Sequence, residues 1–250
     1  MPVSYLDRRS AELHAYVPEL TRRPDFHAFW DEMLECARAV PLAPELDPVD
    51  YPNRRLRVLD VSYDGFDGTR IHGWLIRPVA GAMVGDLPER LPCLVHYHGF
   101  GGSRGRPADF AAWTQLGIAV LSVNVRDQRG STGNAARSQG GGIASAVSAL
   151  DPRPCAALVD VPSNSNQERR AEIKVAAYSG TGAFAAVNDY LREHPDHIDR
   201  VFETLSYFAT YNRITAEKEM TIYPFCGHGD GASEQRERQI RYLAERVVGE

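Results

Sequence analysis

Short apolar segments alternate with helical or loop segments from Leu91 onward, and this alternation constrains the fold more than any other feature of the chain. Strands that alternate with helices are typical of a parallel sheet covered by helices. In such a sheet the reactive groups lie beyond the carboxyl ends of the strands, because the loops there vary while the strands hold them in place. The predicted strands are Cys93–Tyr97, Ile118–Val125, Cys155–Val161 and Glu219–Tyr223.

The region before Leu91 carries two other patterns. Apolar residues at three- and four-residue spacing after Pro24 predict a helix of about four turns. Two strand-like runs, Leu56–Tyr63 and Arg70–Arg77, are separated by turn-forming Asp-Gly pairs and predict an antiparallel hairpin. We expect one α/β domain over residues 1–250, with a helical extension over 1–50 and a mostly parallel sheet core over 51–250. The apolar stripe of the helix comprises Phe26, Phe29, Trp30, Met33, Leu34 and Ala37.

Charge and hydropathy exclude several classes of partner. The chain has 250 residues and a formal charge of -5, and it has no run of like charges, whereas nucleic acid requires a clustered basic surface. Charged residues interrupt the first twenty positions, and no apolar run is long enough to span a bilayer. These features predict a cytoplasmic protein that binds neither nucleic acid nor membranes and takes a neutral or weakly charged substrate.

The four cysteines lie far apart and form no C-x-x-C pair. Three of them, Cys93, Cys155 and Cys226, lie within apolar stretches. Buried free thiols are therefore expected at these positions and at Cys36, in preference to disulfides or a zinc site.

Ser138 is the first candidate for a chemical role. It is followed by Gln139-Gly140-Gly141-Gly142 and by a run of small residues, Ile143–Leu150, which predicts a helix. A serine nucleophile requires a sharp turn at a helix start, with glycines that make room and backbone N–H groups that face the developing oxyanion. The G-x-S-x-G pattern is incomplete, since Ala136 replaces its first glycine, and a helix-capping serine is the alternative.

The loop after the Cys93–Tyr97 strand is the second candidate. It reads His98-Gly99-Phe100-Gly101-Gly102 and is similar to the His-Gly loops of esterases, in which a backbone N–H group binds the oxyanion. The backbone N–H group of Phe100 would be the donor. In the alternative interpretation His96 and His98 bind a metal, because alternate residues of a strand face the same way, but no further cluster of ligands completes such a site.

His228 is the third candidate, within Cys226-Gly227-His228-Gly229-Asp230-Gly231. A general base in a hydrolase of this kind lies late in the chain, on a loop after the last strand. The order of oxyanion loop, serine and histidine is therefore that of an α/β-hydrolase, although a single loop histidine is often only a solvated residue.

Taken together, these segments resemble the acetyl xylan esterases and cephalosporin C deacetylases of the seventh carbohydrate esterase family. The resemblance implies that Ser138 is the nucleophile, that His228 is the general base, and that the backbone N–H groups of Phe100 and Gln139 form the oxyanion hole. It also implies an acyl-enzyme, no cofactor or metal, a small or oligosaccharide acetyl ester as substrate, and a homo-oligomer, by family resemblance a hexamer. The shared segments include Gly73-Trp74-Leu75, Arg104-Gly105 with Pro107, Asp160-Val161-Pro162, Thr204–Phe208 and Ile222–Phe225.

Two segments of the family pattern are absent from the chain. Only twelve residues, Arg126 to Arg137, separate Val125 from Ser138, and they form a polar, Gly-containing stretch where the family has a helix and a strand before the serine. Another gap falls between Asn212 and Glu217, where the family carries its triad aspartate. Asp160 and Asp230 are conceivable substitutes for that acid.

Two hypotheses about function follow from this pattern. The first is a serine esterase that removes acetyl groups from short-chain esters such as acetylated xylo-oligosaccharides or cephalosporin C. The second is a catalytically impaired hydrolase homologue that serves as an assembly or binding subunit, with a sheet left incomplete by the absent segments.

Overall fold

The structure is a computed structural model of the chain. It describes residues 11–12, 15, 23–81, 87–99, 101–125, 139–160, 162, 183–206, 219, 221, 223 and 232–249. The predicted N-terminal helix is confirmed as α1, Phe26–Ala39. Phe26 is buried, the other five residues of its apolar stripe are partly buried, and the remaining residues of the helix are exposed, so the stripe forms the packed face.

Five strands form one sheet in the order β1-β2-β3-β5-β4. The predicted hairpin is confirmed, and each of its strands extends one residue further than expected. The predicted strand Cys93–Tyr97 is confirmed at both ends, while the fifth strand is shorter than the predicted Ile118–Val125. The strands are β1 Glu45–Val49, β2 Leu56–Asp64, β3 Arg70–Pro78, β4 Cys93–Tyr97 and β5 Ala119–Val123.

The sheet is mixed and not closed. The parallel pairing expected after Leu91 is found between β4 and β5, where Val95 lies opposite Leu121. The remaining strand pairs, β1–β2, β2–β3 and β3–β5, are antiparallel within the described residues. The crossover from β4 to β5 consists of a 3-10 turn, Pro107–Phe110, and the short helix α2, Ala111–Gln115.

Strand β1 was not predicted. Each of its five residues is exposed, and Pro48 lies within it. Proline is tolerated in edge strands, where a missing N–H group breaks no ladder hydrogen bond. An exposed edge strand lacks the apolar alternation from which strands are predicted.

The prediction of a strand over Cys155–Val161 is wrong for the residues that the structure describes there. Residues 155–160 form no ladder apart from an isolated bridge at Asp160. A short apolar run between turn signals does not distinguish a strand from a buried irregular segment, because it has no periodicity. Of the predicted strand Glu219–Tyr223, the described residues 219, 221 and 223 lie outside any strand.

Helices flank the sheet. The predicted helix of small residues is confirmed as α3, and it is followed by α4, α5 and α6, the last of which continues into a π-helical turn, Ala244–Val248. Leu243 of α6 joins a core built from the sheet and the β4–β5 crossover.

Across the described ranges, no helix combines the length and apolar character needed to cross a membrane. The helices are α3 Gln139–Leu150, α4 Ala183–Glu193, α5 Ile198–Ser206 and α6 Ala232–Leu243, and the core residues are Val58, Ile76, Phe110, Trp113, Ile118, Val120 and Leu243.

The predicted burial of the cysteines is wrong at three positions, since Cys36, Cys93 and Cys155 are exposed. Cys93 and Val95 lie on one face of β4, and that face is open, whereas His96 faces the interior. Apolar neighbours in the sequence do not determine burial in a strand, because successive side chains point to opposite faces. Cys226 lies outside the described residues.

Candidate active site

The structure describes part of the predicted site. Ser138, Phe100 and His228 lie outside the described residues. Gln139 is the first residue of α3, and Asp160 follows the irregular segment at residues 155–159.

The start of α3 packs directly against the end of β4. A Cβ atom added at Gly140 would overlap the carbonyl oxygen of Tyr97 and lie 2.7 Å from that of His98. A Cβ atom at Gly141 would lie 2.6 Å from the carbonyl oxygen of Asp160. Only glycine permits such close approach. Gly140, the second residue after Ser138, is therefore next to the loop that begins at His98.

That loop begins with a hydrogen-bonded turn. The backbone N–H group of Gly102 donates to the carbonyl oxygen of Gly99 at 3.0 Å, and Gly101 has a φ of 75°. The side chain of His98 fixes the same carbonyl, since its Nδ1 lies 2.8 Å from the Gly99 oxygen. Its other nitrogen, Nε2, accepts a hydrogen bond from the backbone N–H group of Val125 at 2.9 Å. These bonds assign His98 the neutral tautomer with its proton on Nδ1.

Arg104 holds the far end of the loop to the sheet. Its guanidinium group binds both carboxylate oxygens of Asp60, at 2.6 and 3.1 Å, and the carbonyl oxygen of Gly73 at 2.7 Å. It also stacks on the ring of Trp74, 3.6 Å from the ring centroid. A bidentate, stacked arginine of this kind is a geometrically specific contact. The loop is therefore anchored at both ends.

His96 lies beneath the loop within a chain of hydrogen bonds. Its Nδ1 is 2.8 Å from Oγ of Ser122, and this hydroxyl donates to the carbonyl oxygen of Arg104 at 2.9 Å. The hydroxyl proton is thus committed to Arg104, so Nδ1 of His96 must be the donor to Ser122. The remaining nitrogen, Nε2, is buried without a hydrogen-bond partner among the described residues.

Burial keeps both histidines neutral. The pKa of His96 is lowered to about 4, mainly by burial and to a lesser extent by electrostatic interaction with His98 and Arg236, while Asp109 opposes the shift. Burial also lowers the pKa of His98, against the opposing hydrogen bond to Gly99. The charged form of a buried imidazole loses its hydration, so the neutral form prevails.

The geometry does not favour the alternative in which His96 and His98 bind a metal. Both ring nitrogens of His98 are already engaged, with Gly99 and with Val125. In the described part of the chain, no group of three or more His, Cys, Asp or Glu residues is placed to hold a metal ion.

The carboxylate of Asp160 faces α6. Its Oδ1 accepts hydrogen bonds from Nε2 of Gln235 at 3.0 Å and from Nε2 of Gln239 at 2.8 Å. Its Oδ2 accepts from Nε2 of Gln239 at 2.9 Å. Sequence reasoning singled out Asp160 but missed both glutamines, because two glutamines on a polar helix give no signal that a carboxylate lies opposite them.

A cavity of about 1380 Å³ runs beside β4. Its wall is partly apolar, with Phe110, Trp113 and Leu243, and partly polar, with His96, Asp160 and Arg236. The guanidinium group of Arg236 lies 5.1 Å from the centroid of the Trp113 ring. The cavity extends along the whole of β4 to Tyr97, so it reaches the end of the sheet at which α3 begins.

Comparison with known proteins identifies the family. The family model for acetyl xylan esterase (AXE1) matches residues 3–137 and 132–210. These ranges include Phe100, Ser138, Gln139 and Asp160 and end before His228. The two matches meet at residues 132–137, within the polar stretch where the sequence lacks a helix and a strand.

Two solved structures are similar to this chain over nearly its whole length. The acetyl xylan esterase from Paenibacillus sp. R4 has a TM-score of 0.78 and 27% sequence identity, and the match covers 94% of this chain and 98% of that one. The acetyl xylan esterase 1 from Thermoanaerobacterium sp. JW/SL YS485 has a TM-score of 0.77, with 95% and 98% covered; at 20% identity it shows the fold alone. The α/β-hydrolase-like fold predicted from the sequence is thereby confirmed. The chain belongs to the acetyl xylan esterase family of carboxylic ester hydrolases, which cleave acetyl esters.

Proposed function

We propose that this protein removes acetyl groups from short-chain esters through Ser138 and an acyl-enzyme. The observation that carries the proposal is the packing of Gly140 against the carbonyl oxygens of Tyr97 and His98. It brings the helix that follows Ser138 against the loop that contains Phe100. An esterase requires a nucleophile and oxyanion donors from these two segments to converge.

The proposed reaction has two steps. Oγ of Ser138 attacks the acetyl carbonyl carbon while His228 accepts its proton, and the oxyanion is held by the backbone N–H groups of Phe100 and Gln139. The ester bond breaks, and the alcohol leaves with the proton from His228. Water then attacks the acetyl-serine, again with His228 as base, which releases acetate and restores the serine.

We propose acetylated xylo-oligosaccharides and the acetyl ester of cephalosporin C as substrates. Both are acetyl esters borne on a large polar group, and the mixed apolar and polar wall of the cavity beside β4 supports this choice.

A second function is a non-catalytic assembly or binding subunit. The observation in its favour is the sheet itself: within the described residues it has five strands, and the strand expected over 155–161 is not among them. A catalytic site whose side chains are not held by strands or helices loses the geometry on which its reactivity depends.

Hydrolysis of p-nitrophenyl acetate by the folded protein and by its Ser138→Ala variant tests the proposal. We expect the substitution to lower kcat/KM by at least about a thousand-fold, because the acyl-enzyme can no longer form. An organophosphonate should label the wild-type protein at Ser138. Equal background rates in the two proteins, together with no labelling, would contradict the esterase function and support the binding subunit.

A further inference from the structure

We propose that Asp160 is a positioning residue that acts through Gln235 and Gln239 to hold α6 against the start of α3. The proposal rests on the function proposed above, because its purpose would be to fix the base relative to the nucleophile. It gives Asp160 a role different from that of an acid that binds the catalytic histidine directly.

Asp160 contacts α6 through its side chain. Gln235 and Gln239 are one helical turn apart, so their carboxamides lie on the same face of α6. Together they donate three hydrogen bonds to the carboxylate, at 2.8 to 3.0 Å. Gln239 is only 7% exposed, and Oε1 of Gln235 accepts a further hydrogen bond from the hydroxyl of Tyr223 at 3.0 Å. The carboxylate is therefore the centre of a partly buried network.

Asp160 contacts α3 through its backbone. Its carbonyl oxygen lies so close to Gly141 that a Cβ atom added to this glycine would be 2.6 Å from it. The Cα atom of Pro162, the next described residue, would lie 3.1 Å from the same added Cβ atom. One residue thus touches both helices.

The two helices follow the two proposed catalytic residues in the sequence. Ser138 immediately precedes Gln139, where α3 begins, and His228 lies four residues before Ala232, where α6 begins. A shift of α6 relative to α3 would therefore change the separation of base and nucleophile. Misplacement by about 1 Å can cost a hundred-fold in rate.

The groups that donate hydrogen bonds to Asp160 favour a positioning role over direct contact with the catalytic histidine. A carboxylate offers about four acceptor sites, and the two glutamines occupy three of them. Among the described residues, no Lys or Arg forms an ion pair with Asp160, so the hydrogen-bond donors to its carboxylate are neutral amides. Hydrogen bonds from amide donors are directional, so they suit a contact that fixes one helix relative to another.

Reversal of the polarity of one hydrogen bond tests this role. In the double variant that combines Asp160→Asn with Gln239→Glu, both substitutions conserve shape. The amide oxygen of the introduced asparagine can stay at the Oδ1 position and accept from Gln235. Its amide nitrogen takes the Oδ2 position and donates to the carboxylate of the introduced glutamate.

The test compares kcat and KM for p-nitrophenyl acetate in the wild type, both single variants and the double variant, with the folded fraction measured by circular dichroism. Glu237→Gln, an exposed change on α6, is the matched control.

We expect Gln239→Glu alone to lower kcat at least about ten-fold with KM nearly unchanged, because two carboxylates then face each other across a buried contact. The double variant should return to within about three-fold of the wild-type kcat, because the donor and the acceptor exchange places at the Oδ2 position. Recovery should be incomplete, because the glutamate oxygen that replaces Nε2 of Gln239 still faces the amide oxygen at the Oδ1 position. The Glu237→Gln control should match the wild type.

Two outcomes would overturn the inference while leaving the proposed function intact. In the first, the double variant is as impaired as Asp160→Asn and both lose about ten-thousand-fold, which would make Asp160 the orienting acid itself. In the second, no variant changes kcat although Ser138→Ala abolishes turnover. Turnover that survives Ser138→Ala would instead contradict the proposed function, and the positioning role would fail with it.

Discussion

His96 shows how one residue can make stability depend on pH. The side chain is 6% exposed, donates to Ser122 and packs edge-on against Phe110, with ring centroids 5.0 Å apart. Protonation would place a charge on a ring whose second nitrogen has no acceptor among the described residues. The fold therefore selects the neutral imidazole.

We predict that the stability of the protein falls at acidic pH because of His96. The pKa of His96 is lowered from 6.5 to about 4 in the folded state, so the unfolded chain binds the proton first. The free energy of unfolding then declines as pH falls below 6.5 and stops declining near 4. Between pH 7 and pH 5 the loss should be about 2 kcal/mol. Urea unfolding of the wild type and of His96→Gln, each at both of these pH values, measures this loss of unfolding free energy.

The difference between these two proteins isolates His96, because His98 is present in both. His72→Gln, the same change at an exposed histidine on β3, should keep the wild-type pH dependence. If the free energy of unfolding falls equally with pH in His96→Gln and in the wild type, His96 does not contribute to the loss of stability at acidic pH.

The junction between α3 and β4 is the feature that matters most at the scale of secondary structure elements. A Gly→Ala change inside a helix usually stabilises it, because alanine loses less backbone entropy on folding. The contacts at Gly140 oppose this, since the added methyl group would meet the carbonyl oxygens of Tyr97 and His98, which are backbone atoms. Here the start of the helix would have to move.

We therefore predict that Gly140→Ala destabilises the protein by at least about 2 kcal/mol and lowers esterase activity. Urea unfolding and p-nitrophenyl acetate hydrolysis measure the two effects. Ser148→Ala, which removes only a hydroxyl bonded to the carbonyl of Ala144 one turn earlier, is the control and should be near neutral. Stability of Gly140→Ala equal to that of the control would contradict the close packing.

At the scale of the whole molecule, several large apolar side chains are exposed near the β1 edge of the sheet. Leu42 is 62% exposed, Leu46 is 48% exposed, and Phe66 in the β2–β3 turn is 53% exposed. Clustered apolar exposure and an edge strand are features of surfaces that associate with other chains.

We propose on this basis, and on the family resemblance, that the protein is a homo-oligomer. Light scattering coupled to size exclusion should give a mass that is a multiple of the 27.7 kDa chain, six-fold if the assembly is a hexamer. Leu42→Glu together with Phe66→Glu should reduce this mass by placing charges in the contact, whereas Arg54→Glu, a distant exposed change, should not. A mass of one chain for the wild type would contradict the proposal.

The local patterns of the sequence were sufficient for several elements. The apolar stripe from Phe26 to Ala37 determined α1, the turn pairs around Gly65 and Gly68 determined the β2–β3 hairpin, and the run after Gln139 determined α3. In each case periodicity or turn chemistry acts over a few residues, so the signal lies within the segment itself. The family, too, could be recognised from short motifs kept in order.

Tertiary structure decided what depends on partners distant in the sequence. Strand β1 exists because it pairs with β2, whereas residues 155–160 are as apolar as a strand but find no ladder beyond Asp160. The exposure of Cys93 depends on which face of β4 is covered. The neutral tautomers of His96 and His98 and the binding of Asp160 by two glutamines of α6 depend on contacts across the fold. Hydrogen bonds and burial are properties of atoms brought together by folding, and no local pattern encodes them.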